Sequence, residues 1–166
     1  DMNTFKEGDM VVYGTEGLYQ VQEIADMKFG GKNDRYYVLR RGGSVTYVPV
    51  SNEKGVSKIR SVLTRDEVMD LLETLPLESD PWITNDRERQ AAFKNILLYG
   101  DIRDIILLAR KLKFKQNEQE SRGKKLHIAD ERTFREAEKI ISEELAYALG
   151  IEKDKVIDFL VSKLEK

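Results

Sequence analysis

The stretch LYQVQEIADMKFGGKNDRYYVLRR, residues 18–41, predicts two long strands joined by a tight turn. Its arms are rich in aromatic and β-branched side chains, and the first arm alternates between apolar and polar residues as a half-buried strand does. The arms are residues 18–29 and 34–41, and the glycine-bearing connection GGKN between them suits a hairpin. Similar patterns in 9–14 and 44–50, with a short strand in 57–63, predict a small antiparallel sheet. We expect it to close into a barrel, because closure removes exposed edges.

The pattern changes at Thr64, where helical spacing of apolar residues begins. Thr64 and Glu67 have the spacing of a capping box. Later helices are expected to begin at Asn85, at Asp101 and near Asp130, where that carboxylate is the expected cap. Gly100 is expected to end a helix in the left-handed conformation, and Gly150 is expected to end the longest helix. A last helix is predicted over residues 153–166.

The predicted fold class is therefore α+β with two domains, because the strands come first and the helices second. A small antiparallel β-barrel occupies residues 1–63, and an all-α domain occupies residues 64–166. Residues 64–81 of the second domain are its first helix and a linker.

The composition excludes several classes of site. The chain has 166 residues, no cysteine and one histidine, so disulfides, thiolate chemistry and a multi-histidine metal site are excluded. No apolar run approaches the roughly 20 residues of a membrane span, and no segment has the pattern of a signal peptide. We therefore expect a cytoplasmic protein that has no cofactor and no membrane partner.

The charge is unevenly distributed along the chain. Residues 87–125 carry 11 basic and 5 acidic side chains, a net charge of +6, although the whole chain has a net charge of −2. A basic block of this kind attracts phosphates through charge and counterion release. On charge alone, however, a lysine-rich, solvated helix face is the favoured interpretation. The phosphate-binding interpretation stays open.

No catalytic motif is found in the sequence. GGKND lacks the glycine spacing of a phosphate-binding loop, and neither a Gly-x-Ser-x-Gly nor a His-Glu-x-x-His motif is present. His127 lies beside Asp130 and Glu131, but at the expected start of a helix, where these acids are better explained as a cap and a favourable first-turn charge. We therefore expect a protein that is not an enzyme.

The only tryptophan, Trp82, lies in the linker stretch DPWITNDRER, directly ahead of the basic block. It could act as an apolar wedge against a base step in a minor groove. It could equally anchor the linker to the helical domain, since tryptophan is large and seldom exposed without a role. The residues alone do not separate these two interpretations.

The order of motifs along the chain resembles the CarD/CdnL family of bacterial transcription regulators. FKEGDMVVYGTEGLYQVQEI (5–24) and YYVLR (36–40) are similar to the first half of that family. In the second half, Trp82, YGD (99–101), GKKL (123–126), ADER (129–132) and EELAYALGI (143–151) follow in the family's order. The resemblance covers nearly the whole chain.

The resemblance implies a function for each domain. The barrel would be Tudor-like and would bind the β subunit of RNA polymerase. The helical domain would contact the minor groove and phosphate backbone of promoter DNA at the upstream edge of the transcription bubble and stabilise the open complex. A monomer, nucleoid-associated through RNA polymerase, is expected.

Individual residues carry over from the family pattern. Trp82 matches its wedge tryptophan. The implied DNA-binding residues are Trp82, Arg87, Arg89, Lys94, Lys124, Lys125 and Arg132. The implied polymerase-binding residues are Met27, Gly31 and Tyr47. Gly31 matches a turn glycine, whereas Met27 and Tyr47 stand where the family pattern has arginines, so an apolar or aromatic contact would replace a polar one.

Two other functions compete with this prediction. A protein–protein adaptor would use the barrel for one partner and the basic helices for an acidic one, without contacting DNA. An enzyme would need a substrate pocket or a cofactor near His127. Salt-dependent binding to forked or bubble DNA is expected only of the transcription regulator.

Overall fold

The computed structural model describes residues 4–164, with only the backbone of Leu164, so the last two residues of the predicted final helix lie outside the described range. The chain forms two compact units, residues 1–62 and residues 63–166. The predicted domain boundary differs from this division by one residue.

The first unit is an antiparallel sheet with one short helix. Its elements are β1 (Met10–Tyr13), β2 (Leu18–Phe29), β3 (Lys32–Arg41), β4 (Ser44–Pro49), α1 (Glu53–Ser57) and β5 (Ile59–Ser61). Gly30 and Gly31 connect β2 to β3, and both have a positive φ, as a two-residue hairpin turn of type I′ requires. The turn sets the register of the hairpin, which pairs Ala25 with Tyr36. The predicted strands are confirmed, whereas α1 was not predicted.

The sheet is open, so the expected barrel closure is wrong. The strand order is β4-β3-β2-β1-β5, which leaves β4 and β5 at opposite edges. Helix α1 connects these two edge strands and contacts both. A Cβ atom on Gly55 would lie 3.2 Å from Cγ1 of Val48, so the helix packs tightly against β4. The two edge strands are thus linked through α1 and not through direct pairing.

The second unit contains five α-helices, α2 to α6, within the described residues. They are α2 (Arg65–Glu73), α3 (Asp86–Tyr99), α4 (Ile102–Ser121), α5 (Ile128–Leu149) and α6 (Val156–Leu164), with a 3₁₀ turn at Lys153–Lys155. The predicted caps of α2, α3 and α4 are confirmed: Thr64 and Asp101 form capping boxes, and Asn85 accepts a hydrogen bond from the backbone N–H of Glu88. Gly150 ends α5, as predicted, and it does so in the left-handed conformation.

Gly100 differs from its predicted conformation. Its φ of −72° and ψ of 152° are extended rather than left-handed. The reason is that Asp101 caps α4 immediately afterwards, so the chain must turn from one helix into the next within a single residue. A Cβ atom on Gly100 would lie 2.5 Å from the backbone oxygen of Ile96. Glycine is needed here for close approach of the backbone and not for a positive φ.

The helical unit has its own apolar core. Side chains from α2 to α6 form one buried cluster, in which Val68, Ile106, Leu112, Ile141 and Leu145 are almost completely buried. Trp82 and other half-buried side chains pack against this cluster. The core therefore supports the loop that joins α2 to α3, residues 74–85, which we call the tryptophan loop.

Candidate functional site

One face of the sheet in the first unit carries exposed apolar side chains. Tyr37 and Leu39 of β3 are buried in the core, so Tyr36, which alternates with them, lies on the opposite face. The register puts Phe29 and Met27 of β2 and Tyr47 of β4 on that same opposite face. We call Met27, Phe29, Tyr36 and Tyr47 the sheet-face patch.

The aromatic rings of the patch contact one another. The ring of Phe29 lies 5.2 Å from that of Tyr36 and 5.9 Å from that of Tyr47, both in edge-to-face geometry. Phe29 is 48 % exposed and Tyr47 is 47 % exposed. Large aromatic side chains that remain accessible as a group are typical of protein–protein interaction surfaces. The predicted residues Met27 and Tyr47 belong to this patch, and the predicted Gly31 lies in the turn directly after Phe29.

Trp82 lies on the surface of the helical unit with part of its ring buried. Its ring packs edge-to-face on Phe93 of α3, with 5.9 Å between ring centroids. Two cations lie over the ring: the guanidinium of Arg89 at 4.9 Å and the Nζ of Lys115 at 5.0 Å from its centroid. Cations at such distances are attracted to the indole face. Trp82 is therefore an anchor of the tryptophan loop, and part of its ring remains exposed beside Lys115.

Arg89 is buried, and its predicted role as a DNA-facing residue does not fit this position. Only 3 % of the residue is exposed. Its Nε donates to Asp130 at 2.9 Å, and its two terminal nitrogens donate to Asp86 at 2.8 Å and to the backbone oxygen of Ile83 at 3.0 Å. Burial alone would lower the pKa of Arg89, but the hydrogen bonds and charges of Asp130 and Asp86 outweigh it and raise that pKa. Arg89 thus connects α3, α5 and the tryptophan loop inside the helical unit.

Asp130 is the internal partner of Arg89 and not the predicted helix cap. It is 2 % exposed and also accepts a hydrogen bond from the side chain of Gln90 at 2.7 Å. The residue before α5 is His127, whose side chain makes no capping bond and is exposed. The ion pair between Arg89 and Asp130 joins the first turns of α3 and α5.

The remaining predicted DNA-binding cations are exposed. They are Arg87, Lys94, Lys124, Lys125 and Arg132, which we call the surface cations. Arg87 and Lys94 are seven residues apart on α3 and therefore share one helix face. Arg132 lies in the first turns of α5, which the Arg89–Asp130 pair holds beside the start of α3. Arg132 is thus on a helix whose first turn is joined to that of the helix carrying Arg87 and Lys94.

The basic block contains a second buried arginine. Arg110 of α4 is 5 % exposed, and burial lowers its pKa. One terminal nitrogen donates to the backbone oxygen of Pro76 at 2.7 Å, and the other to that of Glu78 at 3.5 Å. Its Nε has no hydrogen-bond partner within residues 4–164. The guanidinium borders a cavity of about 130 Å³ between the tryptophan loop and helices α3 and α4.

Several of these residues were missed by reasoning from the sequence. The alternation of side chains along the hairpin could have identified Phe29 and Tyr36, because it puts them on the face of Met27 once the turn fixes the register. Lys115 has no such signal, because it reaches Trp82 only through the packing of α4 against the tryptophan loop. Within the described residues, no group of three or more histidine or acidic side chains could hold a metal ion.

Residues 5–61 match the family model of the CarD-like/TRCF RID domain. The match includes all five strands and the whole sheet-face patch. The first unit is a CarD-like/TRCF RID domain. The RID domain is an RNA polymerase-interacting domain, so this chain is an RNA polymerase-interacting, transcription-related protein. This agrees with the resemblance to the CarD/CdnL regulators.

The RID match ends before the helical unit and covers about a third of the chain. No curated protein matches the chain. Among the described helices, none has the length and apolar character that crossing a bilayer requires. The role of the helical unit is therefore argued from its own residues.

Proposed function

We propose that this protein stabilises the open promoter complex by binding RNA polymerase and promoter DNA at the same time, without a catalytic step of its own. The RID domain would bind the polymerase β subunit through the sheet-face patch. The helical unit would contact DNA at the upstream edge of the bubble, in the cytoplasm and as a monomer. The observation that carries the proposal is Trp82, partly exposed and with two cations over its ring, in a chain whose other unit is an RID domain.

The DNA contact would combine charge with an apolar wedge. The surface cations would bind phosphates and orient the helical unit, because contacts of this kind position a protein without reading sequence. The accessible part of the Trp82 ring would fill the distorted minor groove beside the melted bases. Lys115 lies beside the ring and is therefore added to the proposed phosphate contacts.

Tethering explains why two units are needed. A helical unit that reads phosphates and groove shape would bind DNA weakly by itself. When the RID domain is bound to polymerase, the helical unit is held near the bubble at a high effective concentration. The gain appears as a shift of the equilibrium between closed and open complexes, because the wedge binds the open state better.

Polymerase binding can be tested at the sheet-face patch. We expect Phe29→Ser with Tyr47→Ser to weaken binding to the isolated β subunit by about tenfold or more, because exposed aromatic side chains are common energetic centres of interfaces. The matched control is Tyr147→Ser, since Tyr147 is 55 % exposed but lies in the helical unit. Equal affinities of the double variant and the control in a binding titration would remove the patch from the proposal.

DNA binding can be tested by charge reversal on α3. We expect Arg87→Glu with Lys94→Glu to weaken binding to bubble DNA and to flatten its dependence on salt, because fewer counterions are released. The control is Arg135→Glu, a cation of α5 whose side chain is 74 % exposed and paired with Glu131. A salt titration in which both variants have the same slope would contradict this DNA-binding face.

An adaptor without DNA contact is the second candidate function. Two arginines of the basic block are buried, and the tryptophan loop carries the exposed acids Glu78 and Asp80, so the surface is less cationic than the sequence implies. An adaptor would show no salt-dependent affinity for forked or bubble DNA at any ionic strength. That measurement separates the two functions.

A further inference from the structure

Two buried arginines contact the two ends of the tryptophan loop. Arg110 donates to the backbone oxygens of Pro76 and Glu78, near the start of the loop. Arg89 donates to the backbone oxygens of Ile83 and, at 3.4 Å, Thr84, near its end. The donors come from different helices, α4 and α3. Each end of the loop is thus attached to a separate part of the helical framework.

The spacing of these contacts restricts Trp82. Trp82 lies only four positions after Glu78, and Ile83 follows Trp82 directly. Four residues of extended chain span at most about 14 Å, so the tryptophan cannot move far while both arginines hold the backbone. The ring is also fixed on Phe93 and lies under the Arg89 guanidinium. Arg89 therefore fixes both the backbone and the ring.

Both guanidinium groups that make these contacts are buried. Arginine is seldom buried without partners, because removing its charge from water is costly. Arg89 has two carboxylate partners, whereas Arg110 has backbone oxygens from the loop and an Nε without a partner in the described chain. Within the described part of the chain, the hydrogen bonds found for the Arg110 side chain are those to the loop. Within residues 4–164, the polar contacts of Arg110 therefore hold the loop.

We propose that Arg89 and Arg110 are positioning residues that hold Trp82 in its DNA-binding orientation before DNA arrives. This inference rests on the proposed function, in which Trp82 is the wedge. A loop ordered in advance loses less conformational freedom on binding, so the same contacts give a higher affinity. Neither arginine touches DNA in this arrangement, which distinguishes them from the surface cations.

The test uses the full chain and the fluorescence of Trp82, which is its only tryptophan. In Arg110→Met, we expect acrylamide quenching of Trp82 to increase roughly twofold and its anisotropy to fall, because the loop opens locally. Helix content and the unfolding midpoint should change little. Affinity for bubble DNA should fall by about tenfold, the factor for one lost charge-assisted hydrogen bond, with an unchanged salt slope.

Matched variants keep the test decisive. Arg110→Lys should restore part of the affinity, because its ammonium group can still donate to Pro76. Arg135→Met, at an exposed arginine of α5, should match the unmodified protein in every measurement. If Arg110→Met does not fold, Arg89→Lys keeps the buried charge, loses part of the fork of hydrogen bonds, and should raise the quenching of Trp82 in the same way.

The outcomes separate this inference from the proposed function. Unchanged quenching and anisotropy in folded Arg110→Met and Arg89→Lys would overturn the positioning role. Increased quenching together with unchanged affinity of both variants for bubble DNA would overturn the link between loop order and DNA binding. If Trp82→Ala also binds bubble DNA normally, the proposed wedge fails, although the two arginines still order the loop.

Discussion

Replacing Trp82 with alanine is expected to shorten the lifetime of the open promoter complex by about ten- to a hundredfold, which corresponds to roughly 1–3 kcal/mol for one lost stacking contact. The physical reason is that the ring fills the distorted groove only when the DNA is open. The cations next to the ring remain in the variant, so the salt dependence of DNA binding should be nearly unchanged. The lifetime is measured by challenging preformed open complexes with a competitor.

The Trp82→Ala variant should still fold and bind polymerase, because the buried cluster of the helical unit and the whole RID domain remain intact. Leu77→Ala is the matched control, since Leu77 lies in the same loop and is 83 % exposed. It should leave the lifetime unchanged. Global unfolding of Trp82→Ala, seen by circular dichroism, would show that the ring acts mainly as an anchor on Phe93.

Replacing Asp130 with alanine is expected to lower the free energy of unfolding of the helical unit by about 3–5 kcal/mol, because the buried charge of Arg89 would lose its buried carboxylate partner. The side chains of Arg89 and Asp130 are 4 % and 3 % exposed, so water cannot replace the contact. Urea unfolding followed by Trp82 fluorescence reports on this unit alone.

Glu131→Ala is the control for Asp130→Ala. Glu131 is the next residue in the chain and pairs with Arg135, whose side chain is 74 % exposed. Exposed pairs contribute only about 0–1 kcal/mol, so this variant should be close to the unmodified protein in stability. The double variant Arg89→Met with Asp130→Leu should recover much of the loss, since neither charge is then buried alone. Equal effects of Asp130→Ala and Glu131→Ala would contradict the account of the buried pair.

Local signals in the sequence were sufficient for most of the secondary structure. The glycine-bearing connection GGKN and the alternation before it predicted the β2–β3 hairpin, and Thr64, Asn85 and Asp101 predicted three helix starts. Each of these features depends on residues within a few positions of one another. Gly100 shows the limit, because its extended conformation depends on how soon the next helix begins.

Features that depend on distant residues were not predictable in the same way. Barrel closure was predicted because it would remove exposed sheet edges. In the structure, α1 connects β4 to β5 and the sheet is open. In the sequence, Arg89 and Arg110 look like the other cations of the basic block. The buried position of Arg89 becomes visible only in the folded chain, where Arg89 pairs with Asp130, 41 positions later. A count of charges along the chain therefore overestimates the cationic surface of the helical unit.

Some residues of the candidate site could be identified from the sequence, and others only from contacts between distant parts of the chain. Trp82 and the exposed cations Arg87 and Lys94 were identified by type and position in the sequence. Lys115 and the two arginines that hold the tryptophan loop appear only in the folded helical unit. The sheet-face patch is an intermediate case, because strand alternation predicts its members only once the register is known.

The central claim is that this protein stabilises the open complex through simultaneous contact with polymerase and DNA. It is tested most directly by the lifetime of the open complex with and without the protein, using RNA polymerase from the same source. We expect saturating protein to lengthen the lifetime by about ten- to a hundredfold, and the Phe29→Ser with Tyr47→Ser variant to need a higher concentration for the same effect. An unchanged lifetime at saturating concentrations of the unmodified protein would contradict the claim.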